Sequence, residues 1–273
     1  MSYKFLKTSC FNNYFGNLDE FSTKNLKPDL NSRILNLLQI NICSMNNLHK
    51  FDTLVSSMDS LLTDVHLLVI SETWVNSLNV FSFNINNFTS IFSCRDDRRG
   101  GGLAIYIRND ISFKVICIDD GTFPFQFICV QLMEYNSTRV CAIYRPPGSD
   151  TENFLEFLEQ MLNNHTQVAS DFLLVGDINI AVNRISKLVS DYTNLIMSYG
   201  MCVTNTHITR SSSLNVLDHV VATFHNIDKI YNSTIFSDIS DHNFVFTNIL
   251  YKSKLVHKKL EKKILNYKKI HDF

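Results

Sequence analysis

The chain has 273 residues, 45% of them apolar, and a formal net charge of −1. That length suits one large domain or two small ones around a sizeable core, and the charge excludes a global basic field announcing a nucleic-acid partner. No apolar stretch reaches membrane-spanning length and no basic-then-apolar leader opens the chain, so the expectation is a nuclear or cytoplasmic protein, not a secreted one.

In chain order, residues 1–30 are rich in Asn, Ser and Lys and lack a period, which reads as a poorly ordered leader before a domain spanning 31–251. Residues 34–40 form an apolar run that ends at Asn41 and predicts a buried strand. Leu48, Phe51, Leu54, Val55, Met58, Leu61 and Leu62 recur at helical spacing, predicting an amphipathic helix over about 47–62. A second buried strand, 65–71, ends at Glu72. Gly100-Gly101-Gly102 opens a strand over 103–107, and strands near 113–118 and 126–133 follow closely, as in antiparallel meanders. The run 140–143 closes at Tyr144. Ser149 with Glu152 reads as a capping box for a helix carrying Phe154, Leu155, Leu158, Met161 and Leu162. The run 172–176 leads into Asp177 and Asn179. Leu188, Tyr192, Leu195 and Ile196 mark another helix, which Gly200 terminates. Asp218 follows Val216-Leu217, and Ser240-Asp241-His242 precedes the run 243–246. Over 252–273 Lys dominates a helically spaced Leu255, Leu260, Ile264 and Leu265, read as a basic helical tail or the start of a linker. Strands in pairs and triplets broken by a few helices imply an α/β fold, two mixed β-sheets packed face to face with helices outside.

Seven cysteines include no CxxC pair, and Cys117, Cys129 and Cys141 lie inside apolar runs. They read as reduced, buried thiols rather than a disulfide framework or zinc site. Asn87, Asn136, Asn164 and Asn232 begin N-x-Ser/Thr sequons, which without a secretory signal are chance matches in an Asn-rich chain. Charge is uneven: Arg95, Arg98 and Arg99 cluster beside the glycine triplet, where they are placed to contact phosphate.

Polar groups at the ends of buried strands gather on one rim of a sheet, where loops carry chemistry. Glu72 ends an apolar strand, and burying a carboxylate requires a cation, donor or metal, unless the strand end is exposed. Asp177 and Asn179, two apart in extended chain, share a side; Gly, Asp and Asn are also ordinary turn residues. Asp241-His242 sets a carboxylate beside an imidazole, a common neighbour pair. Tyr144-Arg145-Pro146-Pro147 is either a rigid turn or part of a site. Together these groups make a hard-metal site with an acid/base pair, the equipment for phosphodiester hydrolysis.

Taken in order, Asn41, Glu72-Thr73-Trp74, Tyr144-Arg145-Pro146-Pro147, Gly176-Asp177-Ile178-Asn179, Thr209-Arg210, Leu217-Asp218 and Ser240-Asp241-His242 resemble the endonuclease/exonuclease/phosphatase family. The nearest likeness is to the apurinic-type endonuclease domain of non-LTR, LINE-type retrotransposons of the jockey/CR1-like branch. Gly100-Gly101-Gly102-Leu103-Ala104-Ile105-Tyr106 is similar to a strand found there. The resemblance covers about residues 34–250 and implies a four-layer sandwich of the deoxyribonuclease I-like type.

The resemblance also implies roles. Asn41 and Glu72 match positions that hold Mg²⁺ (Mn²⁺ substituting), with Asp241 near the metal. Asp177 matches the group that orients or deprotonates the attacking water. Asn179 and Thr209 match phosphate contacts, and Tyr144 a phenol near the scissile phosphate. His242 matches a donor to the phosphoryl oxygen, and Asp218 the carboxylate that orients it. Arg145 is placed to reach the DNA backbone. Cys43, His207 and Asn215 depart from the pattern without removing a central role. The implied partner is DNA, not a membrane, and the implied context is a reverse-transcriptase polyprotein. Three functions follow: an endonuclease that nicks one strand and leaves a 3′-hydroxyl, a phosphatase acting on a small phosphodiester, or a non-catalytic nucleic-acid-binding relic.

Overall fold

Each buried apolar run becomes a strand in one of two six-stranded sheets, in a computed structural model of the chain. The structure describes residues 32–58, 65–96, 100–119, 121–167, 169 and 171–252. The leader 1–30, the tail beyond 252, the end of the first helix, Arg98 and Arg99 lie outside the described residues.

The first sheet contains β1 (Ser32–Asn41), β2 (Leu67–Ser71), β3 (Phe88–Ser93), β4 (Leu103–Arg108), β11 (Ile230–Ile235) and β12 (Phe244–Lys252), in the order β11-β12-β1-β2-β4-β3. The second contains β5 (Phe113–Ile118), β6 (Gln126–Leu132), β7 (Thr138–Tyr144), β8 (Phe172–Asp177), β9 (Met201–Val203) and β10 (Asp218–Thr223), in the order β5-β6-β7-β8-β10-β9. Each sheet has one parallel pair: β1 with β2, joined through helix α1 (Leu48–Met58), and β7 with β8, joined through α2 (Thr151–Thr166). A parallel pair needs such a crossover, because the chain must return to the same end.

The layers follow from strand alternation. Leu35, Leu37, Leu67, Val69 and Ile105 face Ile128, Val130, Val140, Ala142, Leu173 and Val175 between the sheets. Leu38, Ile40, Leu68 and Ile70 point the other way, against Phe51 and Leu54 of α1. Cys129, Cys141, Ile143 and Leu174 meet Phe154, Leu158 and Leu162 of α2 and Tyr192 and Ile196 of α3 (Lys187–Ser198). Strands buried on both faces carry near-continuous apolar sequence for this reason. The result is a four-layer sandwich, helix–sheet–sheet–helix.

Several local expectations are corrected. The half-exposed β3 and β11 and the short β9 were not anticipated, since a strand without a continuous apolar run leaves little signal. Asp218 does not end a strand; it begins β10, which runs antiparallel to β8 with Asp218 opposite Asp177. Helix α2 is capped by Asp150, whose carboxylate accepts from Asn153 N at 2.8 Å, not by Ser149. The Ser149 hydroxyl instead donates to Pro146 O within the turn. Among the described residues, no helix is long and apolar enough to cross a membrane.

Candidate active site

Topology brings the polar residues to one rim. Asn41, Glu72, Tyr144 and Asp177 stand at the C-terminal ends of the two parallel pairs. Asp218 and His242 stand at the entrances of the antiparallel β10 and β12, at the same rim. Side chains bridge the sheets there. Asn41 Nδ2 donates to Asp177 Oδ2 at 2.8 Å and to Glu72 Oε1 at 3.1 Å. Tyr144 OH donates to the same Glu72 oxygen at 3.0 Å, and Trp74 Nε1 donates to Glu72 Oε2 at 3.3 Å. Asp218 Oδ2 accepts from His242 Nδ1 at 2.7 Å. Asp177, Asp218 and His242 are all buried, with one ligand atom from each lying within 4.8 Å of the others.

Two buried acidic groups set the electrostatics. Burial first, and then the charge of Asp218, push the Asp177 carboxyl well above the usual carboxylate range; His242 and the Asn41 hydrogen bond oppose this. Burial alone would lower the His242 imidazole. The hydrogen bond and charge of Asp218, with Asp177 and Asp241, outweigh it and raise the group to about 9. Burial and the charges of Glu72 and Asp177 push the Tyr144 phenol up, so it is a donor at neutral pH.

Backbone strain collects at the same place. Glu72, Trp74, Asn179, Cys43 and Ser44 all have positive φ, with Glu72 at 52°. Such conformations cost roughly 1–3 kcal/mol each and persist where the surroundings over-determine them. Gly102 belongs to this frame: at φ +91°, a Cβ on it would meet Thr73 Oγ1 at 2.1 Å, so only glycine lets the β4 entrance lie against the Glu72-Thr73-Trp74 turn.

The model of the Endonuclease/Exonuclease/phosphatase family matches residues 38–242. The chain belongs to this family. No curated protein matches it by sequence. Among solved structures, the endonuclease domain of TRAS1, a telomere-specific non-LTR retrotransposon, is similar at TM-score 0.57 and 13% identity, covering 79% of this chain and 98% of that one. The AP endonuclease LMAP from Leishmania major gives 0.61 and 12%, over 81% and 89% of the two chains. The 3′ phosphatase NExo from Neisseria, bound to product DNA hairpin, gives 0.59 and 15%, over 79% and 99%. These likenesses establish the fold, and the family is one of hydrolytic nucleases and phosphatases.

Within this family member, some expected site residues are turned elsewhere. Arg145 is 4% exposed; its guanidinium donates to the carbonyls of Ile178, Asn179 and Ser149 and lies over the Phe154 ring at 5.4 Å. It pins the β7, β8 and α2 ends together and is not presented to a DNA backbone. Thr209 is fully buried, and its Oγ1 accepts from Leu217 N at 2.9 Å and Asp218 N at 3.1 Å, so it anchors the start of β10 rather than facing a phosphate. The Asp241 side chain is 41% exposed and paired with Arg210 at 2.7 Å, outside the buried acidic group. Asn179 stands next to the site, with one amide N–H held by Arg145 O at 2.8 Å. Arg95 lines a cleft of about 500 Å³ together with Ser44, Asn46, Asn47, Trp74, Asn76, Asp96 and Gly100.

One participant was missed. Gln39, fully buried on β1, donates from Nε2 to Asp218 Oδ1 at 2.7 Å and so holds the face of Asp218 turned away from His242. The available signal was a glutamine inside an apolar run, where a buried amide needs a partner.

Proposed function

We propose that the chain is a metal-dependent DNA endonuclease that nicks one strand and leaves a 3′-hydroxyl, of the kind that primes reverse transcription in non-LTR elements. The observation that carries this reading is the bridge Glu72–Asn41–Asp177, with the Asp218–His242 pair beside it at the rim between the sheets.

The donor set fits a hard cation. The rim gathers the carboxylates of Glu72, Asp177 and Asp218 and the amide of Asn41, and the raised Asp177 carboxyl reports more negative charge than the buried site stabilises alone. Glu72 and Asn41 would hold Mg²⁺, or Mn²⁺ in its place; the outward-facing Asp241 is not placed to share it as first ligand. A divalent cation bound there supplies Lewis-acid stabilisation to the phosphoryl and leaving oxygens. The chain's own residues do the rest. Asp177, with its lifted pKa, is suited to take the proton of the attacking water near neutral pH. His242 has Nδ1 engaged by Asp218, so Nε2–H is the group that donates to the phosphoryl oxygen as charge develops. Tyr144, kept protonated, holds Glu72 in place. The Lys-rich stretch over 252–273 is consistent with a linker toward a polymerase domain.

Supercoiled-plasmid nicking tests the reading. The expected outcome is nicked circles with Mg²⁺ and none with EDTA, ends that a polymerase extends, and a loss on the order of 10² or more in His242→Ala. DNA binding without nicking would leave a non-catalytic relic, and turnover of small phosphodiesters alone would leave a phosphatase.

A further inference from the structure

β1 runs through the middle of the first sheet and carries two amides, Gln39 and Asn41, two residues apart. Alternation puts both on the face that Leu35 and Leu37 turn toward the second sheet. Facing them are two aspartates that are themselves direct neighbours, Asp177 at the end of β8 and Asp218 at the start of β10. Each amide meets one carboxylate. Asn41 Nδ2 donates to Asp177 Oδ2 at 2.8 Å, and Gln39 Nε2 donates to Asp218 Oδ1 at 2.7 Å. All four residues are buried.

The bond to Asp218 accounts for a glutamine at this place. Gln39 is fully buried, and its Oε1 has no hydrogen-bond partner among the described residues. A carboxylate only accepts, so the amide must present Nε2 to Asp218 and turn Oε1 away from it. An orphaned buried oxygen costs stability, and a leucine would suit the apolar run 34–40 without that cost. What the amide supplies is a second donor to Asp218. The Asp218 backbone is already fixed, with N donating to Thr209 Oγ1 at 3.1 Å and O accepting from Asn205 Nδ2 at 2.8 Å. Its carboxylate can still turn about the Cα–Cβ and Cβ–Cγ bonds. One oxygen accepts from His242 Nδ1 and the other from Gln39 Nε2, both at 2.7 Å, short as expected for bonds to a charged acceptor. Donors on both oxygens fix the plane of the group. The His242 bond alone would leave it to rotate with the imidazole.

We propose that Gln39 is a positioning residue for the His242 donor, a role that rests on the phosphodiester chemistry proposed above. By holding the second oxygen of Asp218, the Gln39 amide fixes the carboxylate plane and, through it, the direction of His242 Nε2. One strand then sets both ends of the reaction: Asn41 at the metal and Asp177, Gln39 at Asp218 and His242. Their spacing is that of two residues in a strand, about 6.6 Å, and does not depend on loop conformation. Gln39 acts through Asp218 and not on the phosphate.

Proton NMR of the full chain, with nicking kinetics on the same variants, tests it. In the wild-type chain the His242 Nδ1–H held by Asp218 should give a low-field signal in slow exchange with water, identified by its loss in His242→Ala. Gln39→Met keeps the length of the side chain and removes the donor. It should broaden that signal through faster exchange and lower kcat for nicking about tenfold or more, with KM for the plasmid unchanged. In an Asp218→Asn background the same substitution should lower kcat no further, since its route is already cut. Gln39→Leu gives the same comparison if the methionine variant does not fold. A wild-type chain without the signal, a folded Gln39 variant with the signal unmoved and sharp, or one with unchanged kcat overturns the role. So does an equal loss of kcat in the Asp218→Asn background. A wild-type chain that does not nick withdraws the endonuclease reading instead, and the Nδ1–H signal alone then decides whether Gln39 holds the pair.

Discussion

A single buried ion pair sets the pH range of the proposed chemistry. His242 is raised to about 9 by Asp218, against an ordinary value near 6.5. The imidazolium therefore persists to about pH 9, and a step that needs its proton declines as pH rises through that value. The same sign governs stability: the stabilisation that comes with the raised imidazole is fully present below about 6.5 and is lost as pH rises through about 9. In Asp218→Asn the descending limb of the kcat/KM–pH profile should move down toward the ordinary imidazole value; an unmoved limb would show that this pair does not govern it. Glu72→Ala should abolish metal-dependent turnover without unfolding the domain. Its partners Asn41, Tyr144 and Trp74 lose one acceptor but keep their places in the two sheets. A folded Glu72→Ala chain that nicks at the wild-type rate would remove Glu72 from the metal site. Asn41, Glu72, Tyr144, Asp177, Asp218 and His242 were legible as polar residues flanking apolar runs. The hydrogen bonds of Gln39, Arg145 and Thr209 were not legible, because sequence position does not reveal which way a side chain turns or which backbone group it engages.

Elements buried on both faces were legible, and so was the half-exposed edge strand β5; other edge strands were obscure. β1, β2, β7 and β8 announce themselves as apolar runs, while the edge strands β3, β9 and β11 carry half-exposed residues that dilute any period. The start of α2 shows how close two readings can lie. Ser149-x-x-Glu152 has the spacing of a capping box, yet Asp150 supplies the oxygen that reaches Asn153 N. Ser149 makes no cap bond; its hydroxyl is turned back to donate to Pro146 O in the preceding turn. Asp150→Ala should therefore cost about 1 kcal/mol of stability in urea denaturation, the usual value of a lost N-cap. Ser149→Ala should cost clearly less, because the carbonyl that Arg145 uses remains. A larger loss in Ser149→Ala would restore the capping box. Gly176 is a harder constraint. At φ +146°, a Cβ there would lie 1.9 Å from Ile143 O on the parallel neighbour β7. Gly176→Ala should displace β8 beside Asp177 and reduce both stability and turnover, measured by denaturation and nicking on one preparation.

For the whole molecule, the decisive fact is that the rims of two separate sheets coincide. Nothing in apolar periodicity states that the ends of β1 and β2 meet those of β7 and β8; the motif order carried that information, and the Asn41–Asp177 bond realises it. Charge was legible only in part. A net charge of −1 supplies little long-range steering, so the attraction of a polyanion falls to local groups and should weaken steeply with salt. Arg98 and Arg99 lie outside the described residues, but Arg95 has a definite place. Its guanidinium donates to Pro124 O at 3.1 Å, and the residue lines the Asn-rich cleft that also contains Trp74, the neighbour of Glu72. A strand entering the rim from that side would meet amides, an indole, the Arg95 cation and the Asp96 carboxylate. Arg95→Ala should lower the slope of log K against log salt by about one unit if the side chain neutralises one phosphate. Affinity should fall alike for unrelated sequences, because a phosphate contact reads no base. If slope and affinity stay unchanged in Arg95→Ala, the cleft is a solvated face and DNA approaches the rim from elsewhere.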